Sequence, residues 1–488
     1  MNEKVAEETL DPQNWTELRT LGHQMLDDML DYLEGVRQRP VWQPIPAEVK
    51  DHLSQPVPHA PQGEAQTYQD FKEHILPHPL GNIHPRFWGW VIGTGTPFSV
   101  LAEMLAATMN PNLGGGDHVP NYVEYQVIDW CKEMMGFPAD ASGLLVSGGS
   151  MANLTGLTVA RNAKAGFDIR QEGVNAAPRP LTLYGSVEMH SSLTKSAEML
   201  GLGNAALRKI PVNAEFQIDI PALEQAIAED KKAGFQPFCI IGNAGTVNTG
   251  AFDDLDTLAA ICQREQLWFH VDGAFGALAA LPDSLRHLVR GMSKADSLAF
   301  DLHKWMYMPI EVGCVLVRRE SDHTAAFAIN PDYLAHMPRG AAGGSIAWFN
   351  DLGMQLSRGF RALKVWMSLK AHGLDKFARL VEQNVAQAQH LAGLVENTPE
   401  LELVAPVPLN IVCFRFKAAG LDDTALNDLN KEILMRLHES GVAVPSYTTI
   451  AGKFALRAAI TNHRSTRADF DLMVEKVLSI AAQVLAGN

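Results

Sequence analysis

The chain has 488 residues, of which 47% are hydrophobic and 19% are charged, a balance that excludes a disordered or fibrous protein. Its formal net charge of −15 disfavours nucleic acid and anionic membrane surfaces as partners. The five cysteines are scattered and form no CxxC pair, so we expect buried thiols in a reducing compartment and no metal site. The acidic N-terminus lacks a signal-peptide pattern, and no apolar run approaches the roughly 18 residues of a membrane span. A cytoplasmic protein of two to three domains is therefore predicted.

Residues 1–83 are expected to form a helical arm. Apolar residues recur at helical spacing over residues 15–33, with aspartates between them, which is typical of an amphipathic helix that needs a surface for its stripe. Five prolines in residues 41–61 then favour an extended, irregular segment, because each removes a backbone donor. Such an arm could wrap a partner subunit.

Residues 84–359 alternate between short apolar runs and helical stretches. The apolar runs that end in small or polar residues are 144–146, 181–184, 238–241, 268–271 and 297–300. Helical periodicity lies between them at 220–232 and 255–265. This alternation predicts an α/β domain with a mainly parallel sheet, in which ligands bind beyond the carboxyl ends of the strands.

Residues 360–488 show a different order of elements. Two helical stretches reach about residue 396, apolar runs follow at 401–404 and 411–416, and a further helix is expected at 423–438. This pattern predicts a smaller α+β domain.

The segment Ser147-Gly148-Gly149-Ser150 follows the first of the predicted strands. Two glycines at the start of a helix allow backbone N–H groups to approach a ligand closely, and the helix dipole favours an anion there. A phosphate site and a plain strand-to-helix turn are both consistent with this motif alone.

Two further strands end in groups that could react or carry charge. His303 and Lys304 precede an aromatic stretch, and a lysine with apolar neighbours is poorly hydrated, which favours the free amine as a nucleophile for a carbonyl. Asp272 ends another apolar run, and a buried carboxylate needs a cation or several donors. A surface lysine and a turn aspartate are the alternatives.

Taken together, a phosphate cradle, an amine and a carboxylate at neighbouring strand ends match pyridoxal phosphate, which would be held at its phosphate, its aldehyde and its ring nitrogen. His190 follows another strand and could stack on the ring. A helix-capping or core histidine is the alternative for that residue.

The ordered motifs resemble those of the group II pyridoxal-phosphate decarboxylases, the aromatic-L-amino-acid decarboxylase family of fold type I. The similarity covers nearly the whole chain, and its motifs are residues 84–89, 147–154, 190–192, 246, 270–274, 301–305 and 357–364. The resemblance implies an aspartate-aminotransferase-like large domain, an N-terminal helical arm, a small C-terminal domain and a homodimer. It also implies decarboxylation of an L-amino acid to an amine and CO2.

The resemblance assigns catalytic roles to four residues. Lys304 would bind the aldehyde covalently, Asp272 would keep the ring nitrogen protonated, and His190 would stack on the ring near the substrate carboxylate. Tyr333 would protonate the substrate carbon after CO2 leaves, and a tyrosine there favours an amine product over an aldehyde. The implied cofactor-binding residues are Gly149, Ser150, His190, Thr246, Asp272, Ala274, His303 and Lys304.

Two positions bear on how the cofactor and the substrate would bind. The family often has asparagine where this chain has Asp301, and a carboxylate there would repel the phosphate unless it is turned away or paired. Phe87, Trp88, Trp90 and Phe98 lie around the segment that lines the family's substrate pocket, which favours an aromatic amino acid, although they could equally be core of the N-terminal part of the large domain.

Several alternatives for the activity remain open from the sequence. An acidic substrate such as glutamate, aspartate or cysteine sulfinate would require a cationic clamp, for which Arg86 is a candidate. An aldehyde synthase or an aminotransferase would use the same cofactor with a different outcome.

Overall fold

The computed structural model describes residues 8–329, 337–343 and 347–487. In these ranges the α-helices are α1 (Trp15–Glu34), α2 (Ala47–His52), α3 (Glu64–Asp70), α4 (Pro97–Met109), α5 (Val119–Met135), α6 (Gly149–Lys164), α7 (Ile169–Glu172), α8 (Ser191–Met199), α9 (Ile220–Lys232), α10 (Leu255–Glu265), α11 (Leu302–Trp305), α12 (Glu320–Phe327), α13 (Ala362–His372), α14 (Leu374–Glu396), α15 (Asp423–Glu439) and α16 (Arg467–Leu485). The strands are β1 (Phe87–Trp88), β2 (Ser142–Val146), β3 (Leu181–Ser186), β4 (Leu207–Ile210), β5 (Gln236–Asn243), β6 (Trp268–Asp272), β7 (Ser297–Asp301), β8 (Gly313–Val317), β9 (Leu401–Leu403), β10 (Ile411–Phe416), β11 (Val444–Ile450) and β12 (Lys453–Ala459).

The large sheet has seven strands in the order β2-β8-β7-β6-β5-β3-β4. β8 is antiparallel to both of its neighbours, and the strands from β7 to β4 are parallel to one another. The residues of β2, β6, β7 and β8 are all buried, so both faces of the sheet are covered. The α/β, fold type I architecture with a mainly parallel sheet is therefore confirmed.

The direction of the strands sets the place of the functional groups. Because β2 and the run from β7 to β4 point the same way, their carboxyl ends meet at one edge of the sheet. In that register Asp272 at the end of β6 lies beside Asn243 of β5 and Ala299 of β7. The polar residues that follow the predicted strands thus converge at this edge.

The second sheet has five strands in the order β1-β11-β12-β10-β9. β1 is parallel to β11 and pairs Phe87 with Val444, whereas the other pairs are antiparallel. Trp88 is buried against Phe470 of α16, with ring centroids 4.6 Å apart. The domain limits at residues 84 and 360 stay predictions, and β1 is a strand of the segment 84–359 that belongs to the C-terminal sheet.

The N-terminal helix α1 has no buried residue over its 20 residues. Its apolar residues Trp15, Leu18 and Met25 are exposed. Among the helices of the described ranges, none is long and apolar enough to cross a membrane.

Candidate active site

A cavity of about 560 Å³ opens at the carboxyl edge of the large sheet. It brings together seven of the predicted site residues: Gly149, Ser150, His190, Asp272, Ala274, His303 and Lys304. Residues that lie more than 150 positions apart in the chain therefore line one space, because each follows a strand of the same sheet.

Asp272 is held at the end of β6 by two N–H donors. Its Oδ1 accepts from the backbone N–H of Ala274 at 3.1 Å, and its Oδ2 accepts from the Asn153 amide at 3.0 Å. Burial raises the pKa of Asp272, while the nearby Lys304 and His190 and these two hydrogen bonds oppose the rise. A buried carboxylate in this position can pair with a protonated ring nitrogen.

His190 is the N-cap of α8 and also lines the cavity. Its Nδ1 accepts from the Ser192 backbone N–H at 3.2 Å and lies 2.8 Å from the Ser192 hydroxyl. Burial lowers the pKa of His190, which favours the neutral ring with its proton on Nε2. The capping and cofactor-stacking interpretations of His190 are thus compatible.

Lys304 lies in the short helix α11, which directly follows β7. Its Nζ is 2.9 Å from Asp301 Oδ2, and the carboxylate is 1% exposed. The lysine is therefore paired with a carboxylate as well as flanked by apolar residues. Of the two expectations for Asp301, paired or turned away, the structure shows the paired one.

The predicted phosphate cradle lies at the N-terminus of α6. A Cβ added at Gly149 would lie 2.9 Å from Asp301 Oδ2, so a side chain there would displace this carboxylate. The N-cap, Gly148, provides no side-chain hydrogen bond, which leaves the first N–H groups of α6 for a ligand.

His303 borders the same cradle. Its Nδ1 accepts from the Val312 backbone N–H at 3.1 Å, which leaves Nε2 as the ring nitrogen able to donate to an anion. Burial lowers the pKa of His303, and nearby Asp301 opposes this shift. The residues present thus fit pyridoxal phosphate, with donors for its phosphate, an amine for its aldehyde and a carboxylate for its ring nitrogen.

The lining of the cavity does not include the remaining predicted residues that the structure describes. Thr246 is buried and bonded to Thr249 and Ala251, and it does not line the cavity, so its role beside the ring hydroxyl stays a prediction. Tyr333 lies outside the described residues. Arg86 donates to the Val442 carbonyl at 2.7 Å and lies away from the cavity lining, which does not favour it as a substrate clamp.

The four aromatic residues considered as pocket walls have different positions. Trp90 lines the cavity and is 53% exposed. Phe87 and Trp88 are buried as core residues, but they pack with the C-terminal sheet and not in the large domain where the core alternative placed them. Phe98 lies on α4 away from the cavity lining.

Three residues of the site were not identified from the sequence: Asn153, Tyr447 and Arg457. Asn153 is one turn into α6 from Ser150, a spacing that could have indicated a side chain facing the strand ends. Arg457 is a buried charged residue among the apolar residues 454–459 of strand β12, and buried charges of this kind are signals of function. Tyr447 precedes it in the adjacent strand β11 and also borders the cavity.

Fold and site together define a fold type I pyridoxal-phosphate enzyme. Residues 46–417 match the family described as pyridoxal-dependent decarboxylase conserved domain. The chain belongs to this family of pyridoxal-phosphate-dependent amino-acid decarboxylases.

Full-length relatives agree with this assignment. The chain is 33% identical to an aromatic-L-amino-acid decarboxylase of Bacillus atrophaeus over 472 residues, which cover 96% of each chain. It is 28% identical to the aromatic-L-amino-acid decarboxylase of Sus scrofa, with 97% of this chain and 98% of that one covered. A crystal structure of Oryza sativa TDC with PLP and tryptamine is similar with a TM-score of 0.90 at 25% identity, covering 98% of this chain and all of that one.

Proposed function

We propose that this enzyme removes CO2 from an aromatic L-amino acid and releases the corresponding amine. One observation carries the proposal. Lys304 and Asp272 line the same cavity as two aromatic side chains, those of Trp90 and Tyr447. Both rings are more than half exposed, at 53% and 63%, so they have surface free to contact a flat apolar substrate. Relatives named for aromatic substrates support the same choice.

Arg457 supports an amino-acid substrate more generally. Its guanidinium lines the cavity and donates to the carbonyls of Val247, Asn248 and Trp90 and to the Ser446 hydroxyl. These acceptors are neutral, and burial lowers the pKa of Arg457 only to about 10, so the group is a cation at neutral pH. A substrate carboxylate would be attracted to this side of the cavity.

When bound, pyridoxal phosphate supplies an aldehyde that reacts with amines and a protonated ring that accepts the electron pair left by departing CO2. Lys304 Nζ would hold the aldehyde end and would give it up to the substrate amine. Asp272 would keep a proton at the ring nitrogen, and His190 would pack on the ring face. Tyr333 is proposed to deliver the proton to the substrate α-carbon.

The experiment is a product analysis of purified enzyme loaded with pyridoxal phosphate. Tryptophan, tyrosine and phenylalanine are compared with glutamate, aspartate and cysteine sulfinate, and CO2, amine, aldehyde, ammonia, peroxide and keto acid are all quantified. We expect CO2 and amine in equal amounts from an aromatic substrate, and loss of both the product and the visible absorbance band in Lys304→Ala.

Other outcomes would identify the alternatives. Turnover of acidic substrates alone would favour the acidic decarboxylase and would overturn the aromatic assignment. Aldehyde with ammonia and peroxide would indicate an aldehyde synthase, and a keto acid would indicate an aminotransferase. Tyr333→Phe is expected to divert the wild-type reaction from amine towards aldehyde.

We also propose that the enzyme acts as a homodimer. Helix α1 buries none of its residues, and α4 adds the exposed side chains of Met104, Leu105 and Met109. A second copy would cover these apolar faces, which single chains rarely leave exposed. The acidic net charge and the five free, buried cysteines support a cytoplasmic enzyme without nucleic-acid or membrane partners.

The dimer is tested by light scattering coupled to size-exclusion chromatography. Met25→Glu places a charge on the apolar stripe of α1 and is expected to produce monomers. Gln24→Glu adds the same charge at the neighbouring exposed polar position and should remain dimeric. A monomeric wild-type enzyme, or dimers of equal stability for both variants, would contradict the proposal.

A further inference from the structure

A chain of buried polar side chains leads to Asp272 through groups that the proposed reaction does not use. Trp268 Nε1 donates to Ser297 Oγ at 2.8 Å, and Ser297 Oγ lies 2.8 Å from His270 Nδ1. His270 Nε2 lies 2.9 Å from Asn153 Oδ1. The side chains of all four are within the core, with at most 1% of each residue exposed.

This series of hydrogen bonds begins at the Trp268 indole and ends at the Asp272 carboxylate, and the chemistry of these two groups determines where every proton in between lies. The Trp268 indole can only donate, so the Ser297 hydroxyl is free to donate onward to His270 Nδ1. His270 must then carry its proton on Nε2 and donate to the Asn153 carbonyl oxygen, which turns the Asn153 N–H groups towards Asp272. Burial lowers the pKa of His270 to about 3, and the neutral ring that this order requires is therefore the stable form.

Asn153 distributes its two N–H groups between two parts of the site. One donates to Asp272 Oδ2 at 3.0 Å, and the amide nitrogen also donates to Ser192 Oγ at 3.3 Å. The Ser192 hydroxyl in turn lies 2.8 Å from His190 Nδ1. A single amide is thus linked to the carboxylate for the ring nitrogen and to the imidazole for the ring face.

The helix that carries Asn153 is packed tightly on the histidine ring. A Cβ added at Gly156, one turn further along α6, would lie 2.8 Å from Cε1 and 3.0 Å from Nδ1 of His270. The His270 ring therefore lies directly against α6, and this packing helps to hold its Nε2 facing Asn153.

We propose that Asn153 is a positioning residue that orients both Asp272 and His190 for the cofactor ring, and that His270, Ser297 and Trp268 set its direction. The inference rests on the proposed function, because it concerns how this site holds pyridoxal phosphate. None of these four side chains is assigned to contact the substrate; they act through Asp272 and His190.

The test measures the dissociation constant of pyridoxal phosphate from the full-length enzyme by equilibrium dialysis. Asn153→Leu keeps a similar volume but removes both donors, and we expect about 10- to 100-fold weaker binding. The visible circular dichroism of the bound cofactor is expected to fall as well, because the ring loses its fixed orientation. Wild-type affinity together with an unchanged dichroism band in Asn153→Leu would overturn the proposal.

A double-mutant cycle with Asp272→Asn separates positioning from general structural support. If Asn153 acts through Asp272, then adding Asn153→Leu to Asp272→Asn should weaken binding by no more than about threefold. Equal weakening in both backgrounds would show a structural role and would overturn the proposal.

Variants of His270, the next residue in the series of hydrogen bonds, keep the test decisive if Asn153→Leu does not fold. His270→Gln is neutral and can still donate to Asn153, so its affinity should stay within about threefold of the wild type, whereas His270→Leu should behave like Asn153→Leu. Equal affinities for His270→Gln and His270→Leu would contradict the inference. A wild-type enzyme that binds no pyridoxal phosphate would instead refute the proposed function itself.

Discussion

Two buried carboxylates end neighbouring strands of the large sheet, and their surroundings differ. Asp272 on β6 accepts from protein N–H groups at both oxygens, from Ala274 at 3.1 Å and from Asn153 at 3.0 Å. Asp301 on β7 has Lys304 Nζ 2.9 Å from Oδ2, while its buried Oδ1 has no hydrogen-bond partner among the described residues.

We call Asp272 the fixed carboxylate, because protein N–H groups hold both of its oxygens. We call Asp301 the dependent carboxylate, because its close ion-pair partner is Lys304. The donors to Asp272 take no part in the reaction, so this carboxylate keeps its orientation when the cofactor binds, which is the preorganisation that electrostatic stabilisation requires. The partner of Asp301 is Lys304, the residue proposed to act as the nucleophile. If Lys304 binds the aldehyde as proposed, its Nζ would be shared with the cofactor, and Asp301 would lie beside the predicted phosphate cradle with a weaker ion pair.

The largest expected effect comes from neutralising the fixed carboxylate. Asp272→Asn cannot hold a proton at the ring nitrogen, so we expect kcat to fall about 100- to 1,000-fold, the range for removal of one preorganised stabilising group. Steady-state kinetics at saturating pyridoxal phosphate measures this change. Asp283→Asn, at a carboxylate that is 90% exposed, is the control and should be unaffected. A decrease below tenfold for Asp272→Asn would show that this carboxylate is not essential to the ring.

The second prediction concerns His270, which supports the fixed carboxylate through Asn153. It describes how the burial of this histidine makes the stability of the protein depend on pH. The pKa of His270 is about 3 in the folded protein against 6.5 in the unfolded chain, so the unfolded state binds the extra proton as the pH falls. Stability from this group is present above pH 6.5 and is lost as the pH falls towards 3.

From pH 7 to pH 5 the wild type should therefore lose about 2 kcal/mol more unfolding free energy than His270→Gln. Urea denaturation at both pH values, at one fixed cofactor concentration, measures the difference. His59→Gln, at an exposed histidine, should reproduce the wild-type dependence. Parallel curves for wild type and His270→Gln would show that His270 is not held neutral.

The third prediction tests the dependent carboxylate. Asp301→Asn has nearly the same shape but no charge beside the cradle, so we expect pyridoxal phosphate to bind about tenfold more tightly near neutral pH. Equilibrium dialysis measures the dissociation constant, and Asp283→Asn again serves as the exposed control. Weaker binding in Asp301→Asn would indicate that the carboxylate supports the cofactor rather than opposing it.

The sequence was sufficient to place the fixed carboxylate and the lysine, because both follow apolar runs that end in polar residues. Local patterns of this kind identify strand ends, and parallel strands bring those ends together without further information. The sequence allowed two states for Asp301, paired or turned away. Which of them occurs depends on the positions of the Asp301 and Lys304 side chains, which lie one helical turn apart.

The parts that escaped prediction depend on contacts between distant segments. β8 runs antiparallel between β2 and β7. The sequence of β8, Gly313–Val317, is a short apolar run, and such a run does not show whether the strand is parallel or antiparallel to its neighbours. Phe87 pairs with Val444 across most of the chain, and Asn153 acquires its role only when α6 packs on His270. The periodicity of one segment does not indicate which distant segment it will contact.

The smallest expected effect concerns the link between Asn153 and His190. Ser192→Ala removes the hydroxyl 2.8 Å from His190 Nδ1, but the Ser192 backbone N–H, at 3.2 Å, still donates to that nitrogen. Since a neutral hydrogen bond contributes about 0.5–1.5 kcal/mol, we expect cofactor binding to weaken about threefold, with a smaller visible dichroism of the bound ring. Ser191→Ala, at the exposed neighbouring serine, is the matched control. If the two variants behave alike, Asn153 acts through Asp272 alone and the ring face is held by the backbone.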